Sequence, residues 1–198
     1  MKRFRKKGLA KEQQLLVEGL SKTSFVGQSI LDIGCGIGGL HLTLLLRGAS
    51  TALGIDIAPG MIDAARTLSR EHHMEFQTDY RVGDFVAMRE TIAMADLTIA
   101  DKVVCCYADL PALLSSSLSK TRRVFALTHP RDHTFNYLLI RSLATLGEVL
   151  RLPFHPYWHD WQSMSASIEA NGLRRVWSSK TLFWQVEVFE RVTIAQEM

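Results

Sequence analysis

The chain has 198 residues, 47% of them hydrophobic and 22% charged, which is enough for one domain with a sizeable core and short for two. Basic residues outnumber acidic ones by 23 to 20, yet six of the basic groups (Lys2, Arg3, Arg5, Lys6, Lys7, Lys11) fall within residues 1–11, so a basic arm, 1–11, precedes a mildly acidic single domain, 12–198. No apolar run of about 18 residues predicts a membrane span, polar residues 11–14 stand where an export signal would be apolar, and three cysteines without Cys-x-x-Cys spacing predict reduced thiols in a cytoplasmic protein, with no metal.

Residues 9–20 space Leu9, Leu15, Leu16 and Leu20 as an amphipathic helix. Ser29 to Ile33 is a short apolar run that ends in glycines, which predicts a buried strand. A leucine-rich helix follows over 38–47, with Gly48 as its stop. A second strand is predicted over 52–57, and Pro59 opens a helix to about Glu71. Strands are predicted over 80–82, 95–105 and 123–128, with a helix over 110–118. This alternation predicts a parallel sheet covered by helices on both faces. The end differs: two helices, 133–149 and 160–170, flank an aromatic loop, and strands 174–178 and 181–192 form a hairpin turning at Ser179 and Lys180. Alternating Leu182, Trp184, Val186 and Val188 mark the second as an antiparallel strand.

The stretch from Leu31 to Gly39 follows the first strand and opens the first helix of the alternation. Gly34, Gly36 and Gly39 give Gly-x-Gly-x-x-Gly, which permits a tight turn and close approach of a ligand to the backbone. The helix N-terminus adds unpaired N–H donors. Asp56, 22 residues after Gly34, ends the second strand, where a carboxylate can accept both hydroxyls of a ribose. Together these predict a nucleoside ligand, either a nicotinamide dinucleotide or S-adenosylmethionine. Asp32 decides between them: a carboxylate beside the loop repels a pyrophosphate and attracts a sulfonium and an ammonium group.

The segment 31–39 resembles the first motif of class I S-adenosylmethionine-dependent methyltransferases, and Gly54-Ile55-Asp56-Ile57-Ala58 resembles their second. Val82-Gly83-Asp84-Phe85 resembles the third. The fourth-strand end, Asp101-Lys102 to Tyr107, resembles a small single-domain subgroup similar to magnesium-protoporphyrin O-methyltransferase. The resemblance implies a Rossmann-like α/β fold whose mostly parallel seven-stranded sheet has order 3-2-1-4-5-7-6. It implies S-adenosyl-L-methionine as cofactor, S-adenosyl-L-homocysteine as product, Met61 over the adenine and Asp84 at the adenine amino group. Ile57, Gly83, Phe85, Asp101 and Lys102 complete the implied cofactor site.

Ligands of open α/β sheets bind outside the carboxyl ends of the strands. The acceptor is therefore expected beside 101–107 and 128–132, with the extra segment 133–161 as a lid, an acceptor wall, or a helix pair packed on the sheet. Candidates for a base are His155, in that segment, and His129, at the end of strand five. Each also reads as a structural histidine. Tyr107 is a candidate for orienting the acceptor. In-line methyl transfer gains roughly 7–11 kcal/mol from orientation alone, so a base is needed only if the acceptor must lose a proton. The expected acceptor is a small molecule, hydrophobic given Phe154, Tyr157, Trp158 and Trp161, and methylated at oxygen by the subgroup resemblance. The basic arm raises an RNA acceptor as the alternative, opposed by the acidic body and the lack of an aromatic-basic stripe. A nicotinamide-dependent oxidoreductase and a non-catalytic cofactor-binding protein are the others. Oligomeric state is left open.

Overall fold

A computed structural model describes residues 4, 8–151 and 155–192. Helix α1 (Lys11–Leu20) leads into β1 (Ser29–Ile33), α2 (Gly39–Leu45), β2 (Thr51–Asp56), α3 (Pro59–Glu71) and β3 (Thr78–Val82). Then come α4 (Phe85–Met88), β4 (Ala95–Asp101), α5 (Leu110–Ser119) and β5 (Thr121–Pro130). The chain ends with α6 (Thr134–Val149), α7 (Trp161–Ala170), β6 (Leu173–Lys180) and β7 (Trp184–Arg191). The seven strands form one sheet of order β3-β2-β1-β4-β5-β7-β6. Pairing is parallel from β3 to β5 and antiparallel on both sides of β7. This is the order the resemblance implied.

Strand β1 sits between β2 and β4 and is buried from Ile30 to Ile33, as suits an interior strand covered on both faces. One face carries α1, α2 and α3 through Leu16, Leu20, Leu42, Leu44 and Leu68. The other carries α4, α5 and α7 through Phe85, Leu113, Leu114, Trp161 and Ile168. Helix starts follow their local chemistry. Pro59 stands in the first turn of α3, and Asp84, Asp109 and Asp160 cap α4, α5 and α7 with side-chain oxygens, each cap worth about 1 kcal/mol. Gly19 of α1 lets Trp177 approach closely: a Cβ there would lie 2.6 Å from the indole. Trp177 thus packs against the sheet's first face and Trp184 against the second.

Three expectations are corrected. Strand β4 stops at Asp101 rather than Cys105, because Lys102 takes a left-handed backbone (φ +62°) and Val104–Cys106 wind into a 3-10 turn. The hairpin turns at 181–183 rather than at Ser179 and Lys180, since Thr181 N–H donates to the Trp184 carbonyl (2.9 Å) and Trp184 N–H to Thr181 Oγ1 (3.0 Å). The short helix α4 was absent from the sequence reading. Most of the basic arm, Lys2 to Lys7, lies outside the described residues, as does Phe154 of the aromatic loop.

Candidate functional site

The Asp101↔Thr128 register brings the ends of β4 and β5 level, and a cavity of about 480 Å³ opens beyond the ends of β1, β2 and β4. The glycine loop forms one side. Gly34 and Gly36 adopt φ of +63° and +55°, a left-handed region that glycine enters at no steric cost. At Gly34 a Cβ would lie 2.5 Å from Val103 Cγ2, whereas at Gly36 it would point into open space. Gly34, Gly36, Asp56, Ile57, Met61, Gly83, Asp84, Phe85, Asp101 and Lys102 all line this cavity, together with Tyr107 and His155. The sequence reading missed Val103, Cys106 and Leu113, which also line it.

Each carboxylate is positioned by backbone donors. Asp56 Oδ2 accepts the Gly36 N–H and Oδ1 the Ala58 N–H, both at 2.9 Å. An ionised carboxylate has about four acceptor directions, so two remain, matching a ribose's two hydroxyls. Asp84 Oδ1 accepts the Val86 N–H at 2.9 Å, and the Tyr107 hydroxyl donates to Asp84 Oδ2 at 2.9 Å. Tyr107 is thereby corrected: its hydroxyl is committed to Asp84 and steadies that carboxylate rather than standing free for an acceptor. Burial first, and Asp84 second, push the Tyr107 hydroxyl up to about 12, so it stays a donor.

Asp101 is different. Its Oδ2 accepts from Gln13 Nε2 of α1 (2.9 Å), while Oδ1 is buried with no partner among the described residues. Burial raises its pKa above the ordinary carboxylate value, with Lys102 opposing. Lys102 forms an ion pair with Glu12 of α1 and sits over the Trp184 ring at 5.3 Å. Helix α1 thus braces both residues at the end of β4. Nothing in the sequence joins residues 12–13 to 101–102, and only the fold reveals this contact.

A second cavity, of about 340 Å³, adjoins the first through Gly34, Gly36, Asp101 and Lys102, and holds the other two expected cofactor residues, Asp32 and Gly39. Asp32 is buried, and Oδ2 accepts His41 Nδ1–H at 2.8 Å. His41 Nε2 in turn lies 2.9 Å from the Tyr80 hydroxyl. The side chain of Phe4 packs on Gly39, where a Cβ would come within 2.7 Å of its ring.

The remaining candidates separate. His155 lines the main cavity, with Nε2 3.8 Å from Glu148 Oε1. His129 does not. Strand alternation turns its side chain toward α7, where it lines a different cavity with Trp161, Arg131 and Glu187. There Nδ1–H donates to the Pro130 carbonyl at 2.8 Å, and Nε2 lies 3.4 Å from Glu187 Oε2. Arg131 donates to the Thr181 and Leu182 carbonyls and so holds the β6–β7 turn. Among the described residues of the extra segment, only His155 lines the main cavity, and none of α6 does. His72 and His73 are exposed, and no cluster of metal-binding side chains occurs among the described residues.

The donor set favours one nucleoside class. The Cys35, Gly36 and Gly38 N–H groups are spent on the Ile55 carbonyl, Asp56 and the Cys35 carbonyl, so a pyrophosphate would meet carboxylates and few free donors. A cationic nucleoside would meet the carboxylate residues Asp56, Asp84 and Asp101 that line the cavities.

Residues 30–125 match the methyltransferase domain family. The malonyl-[acyl-carrier protein] O-methyltransferase of Serratia marcescens is 34% identical over 126 residues, 64% of this chain and 44% of that one. The chain therefore spans less than half the length of that relative. Among solved structures, the magnesium protoporphyrin IX methyltransferase of Synechocystis with bound S-adenosyl-L-homocysteine superposes with a TM-score of 0.73 at 18% identity, over 91% of this chain and 82% of that one. An S-adenosylmethionine-dependent methyltransferase from Mesorhizobium loti gives 0.70 at 14% identity, over 92% and 98%. These structural likenesses show the fold.

Proposed function

We propose that the chain is a class I S-adenosylmethionine-dependent methyltransferase that transfers a methyl group from S-adenosylmethionine to a small, largely apolar acceptor, at oxygen. The observation that carries this reading is the pair of joined cavities. A glycine loop meets the carboxylates of Asp56, Asp84 and Asp101 there, a set that suits a cationic nucleoside. When bound, the cofactor supplies a methyl group already activated by a sulfonium.

The protein's part is binding, orientation and proton handling. Asp56 accepts the ribose hydroxyls through its two free directions. Asp84, held by Val86 N–H and Tyr107, receives the adenine amino group, with Phe85 and Met61 against the ring. The carboxylates of Asp101 and Asp32 face the cationic end. Ile57, Gly83 and Lys102 complete the walls, and Gly39 gives room to Phe4 beside the second cavity. Val103 and Leu113 make the side open to an acceptor apolar and limit water there. His155 takes the proton of an acceptor hydroxyl, and a positioned base of this kind contributes about 10²–10⁴-fold. The segment around His155 acts as acceptor wall. The name of the Serratia relative, an O-methyltransferase, supports oxygen.

The test is to supply methyl-labelled S-adenosylmethionine with a fractionated small-molecule extract, total RNA or total protein. Label in the small-molecule fraction, stable to mild alkali as a methyl ether is and reduced about 10²–10⁴-fold by His155→Ala, is the expected result. Label in RNA or protein alone would overturn the acceptor class.

A further inference from the structure

The 3-10 turn after β4 places two adjacent thiols at the cofactor cavity. Cys105 is buried and Cys106 is exposed, and their sulfurs lie 3.8 Å apart. Both thiols approach the Lys102 carbonyl, at 3.6 and 3.4 Å. Cys106 lines the cavity itself. The turn is tied to two walls of that cavity and to the aromatic loop. Val103 packs against Gly34, Tyr107 holds Asp84, and the Cys105 carbonyl accepts the Tyr157 N–H at 2.8 Å. His159 Nε2 stands 3.0 Å from the Tyr107 carbonyl. None of the proposed methyl-transfer chemistry uses either thiol.

We propose that Cys105 and Cys106 form an oxidant-responsive dithiol in the cavity wall, with Cys106 as the thiol attacked and Cys105 as the resolving one, and that its oxidation weakens cofactor binding. The oxidant is a hydroperoxide. The Cys106 thiolate attacks a peroxide oxygen, the O–O bond breaks, and the departing oxygen takes up a proton, leaving Cys106 as a sulfenic acid. The Cys105 sulfur then attacks the Cys106 sulfur. An S–S bond forms, the S–O bond breaks, and hydroxide leaves as water with the Cys105 proton. Two thiols lose two electrons in all, and hydrogen peroxide becomes two waters.

The division of roles follows from the surroundings. The hydrogen bond from Cys105 lowers the Cys106 thiol, against the opposing effect of burial. The same hydrogen bond and burial raise Cys105. An accessible, lowered thiol beside a resolving one is the environment in which cysteine oxidation is selective. The effect on the cofactor follows from geometry. A disulfide draws the sulfurs from 3.8 Å to about 2.0 Å. Adjacent Cα atoms stand about 3.8 Å apart, nearer than most disulfides permit. Closure must therefore move the turn, and with it Val103, Tyr107 and the contact to Tyr157. A bond made under such strain is readily reduced, so the change reverses.

The test treats the full chain with hydrogen peroxide and reads three quantities. Peptide mapping should find a Cys105–Cys106 disulfide, and in Cys105→Ser dimedone should label Cys106. Calorimetry with S-adenosyl-L-homocysteine should show at least a tenfold loss of affinity on oxidation, restored by dithiothreitol. In Cys106→Ser, compared with its own untreated form, peroxide should change nothing. Oxidation at Cys35 alone, neither disulfide nor adduct at Cys106, or a disulfide with unchanged affinity would overturn the proposal. The affinity arm rests on the cofactor reading; the mapping and dimedone arms do not. If the reduced protein failed to bind S-adenosyl-L-homocysteine, the cofactor reading would fall. The dithiol would then be decided by those arms and by amide exchange at 155–159, which should rise on oxidation and whose constancy would refute it.

Discussion

Replacing Asp56 by Ala removes a carboxylate with four acceptor directions. Two are taken by the Gly36 and Ala58 N–H groups, and two are left for a ribose. A hydrogen bond to a charged group is worth about 1.5–3 kcal/mol. Because the two ribose bonds share one acceptor and are not additive, we take about 3 kcal/mol for the pair. That corresponds to roughly a 100-fold weaker Kd. Asp56→Asn is no gentler, since its amide NH2 would face one of the two backbone donors. Calorimetric titration of S-adenosyl-L-homocysteine into wild type and Asp56→Ala measures the loss, with melting temperature as a control for folding. Repeating it with an analogue lacking both ribose hydroxyls separates the ribose from the loop: most of the 100-fold penalty should disappear. An Asp56→Ala change of less than about threefold, or the same penalty with the analogue, would refute the argument that Asp56 holds the ribose.

Asp101→Asn should weaken S-adenosylmethionine at least tenfold more than S-adenosyl-L-homocysteine, because only the former carries the sulfonium charge. The same preference should fade in wild type as pH falls through the raised Asp101 value, where the carboxyl is neutral; parallel titrations from neutral to acid pH check both. His41→Leu strands the buried Asp32 carboxylate and should cost about 3 kcal/mol, a fall of roughly 10 °C in Tm for a chain of this size, read by calorimetric melting. At Glu187, burial works against ionisation, yet the nearby His129 ring and the hydrogen bond from Arg175 outweigh it and hold the carboxyl below its ordinary value of 4.5. Its stabilisation is therefore present above pH 4.5 and lost as pH falls through the lower folded value. Glu187→Gln should flatten the acid side of the stability–pH curve measured by urea unfolding. An unchanged slope below pH 4.5 would remove Glu187 from that account.

The sheet was legible because strands such as β1 and β2 are short apolar runs punctuated by glycine, proline or aspartate. Strand β1 and helix α3 match their predicted ranges residue for residue. The lining of the main cavity was legible for the same reason: much of it comes from strand-end motifs that are continuous in sequence, such as 54–58 and 82–85. What failed depends on backbone choices a sequence does not display. Lys102 adopts a left-handed conformation, which converts an apparent extension of β4 into a 3-10 turn. His155, in the aromatic loop, is the leading candidate base by sequence and His129, at the end of strand five, the second; strand alternation sends His129 toward α7, whereas His155 lines the cavity. The brace from Gln13 to Asp101 spans 88 positions and carries no sequence signal. The Asp32–His41–Tyr80 chain was half visible, since residues 32 and 41 belong to one strand–loop–helix unit, but Tyr80 arrives from β3.

The central claim is that the joined cavities take a cationic nucleoside without phosphate. Parallel calorimetric titrations of S-adenosylmethionine and NADH into the reduced full chain test it directly. The account requires saturable one-to-one binding of S-adenosylmethionine and no detectable heat from NADH. Binding of NADH without S-adenosylmethionine would contradict it.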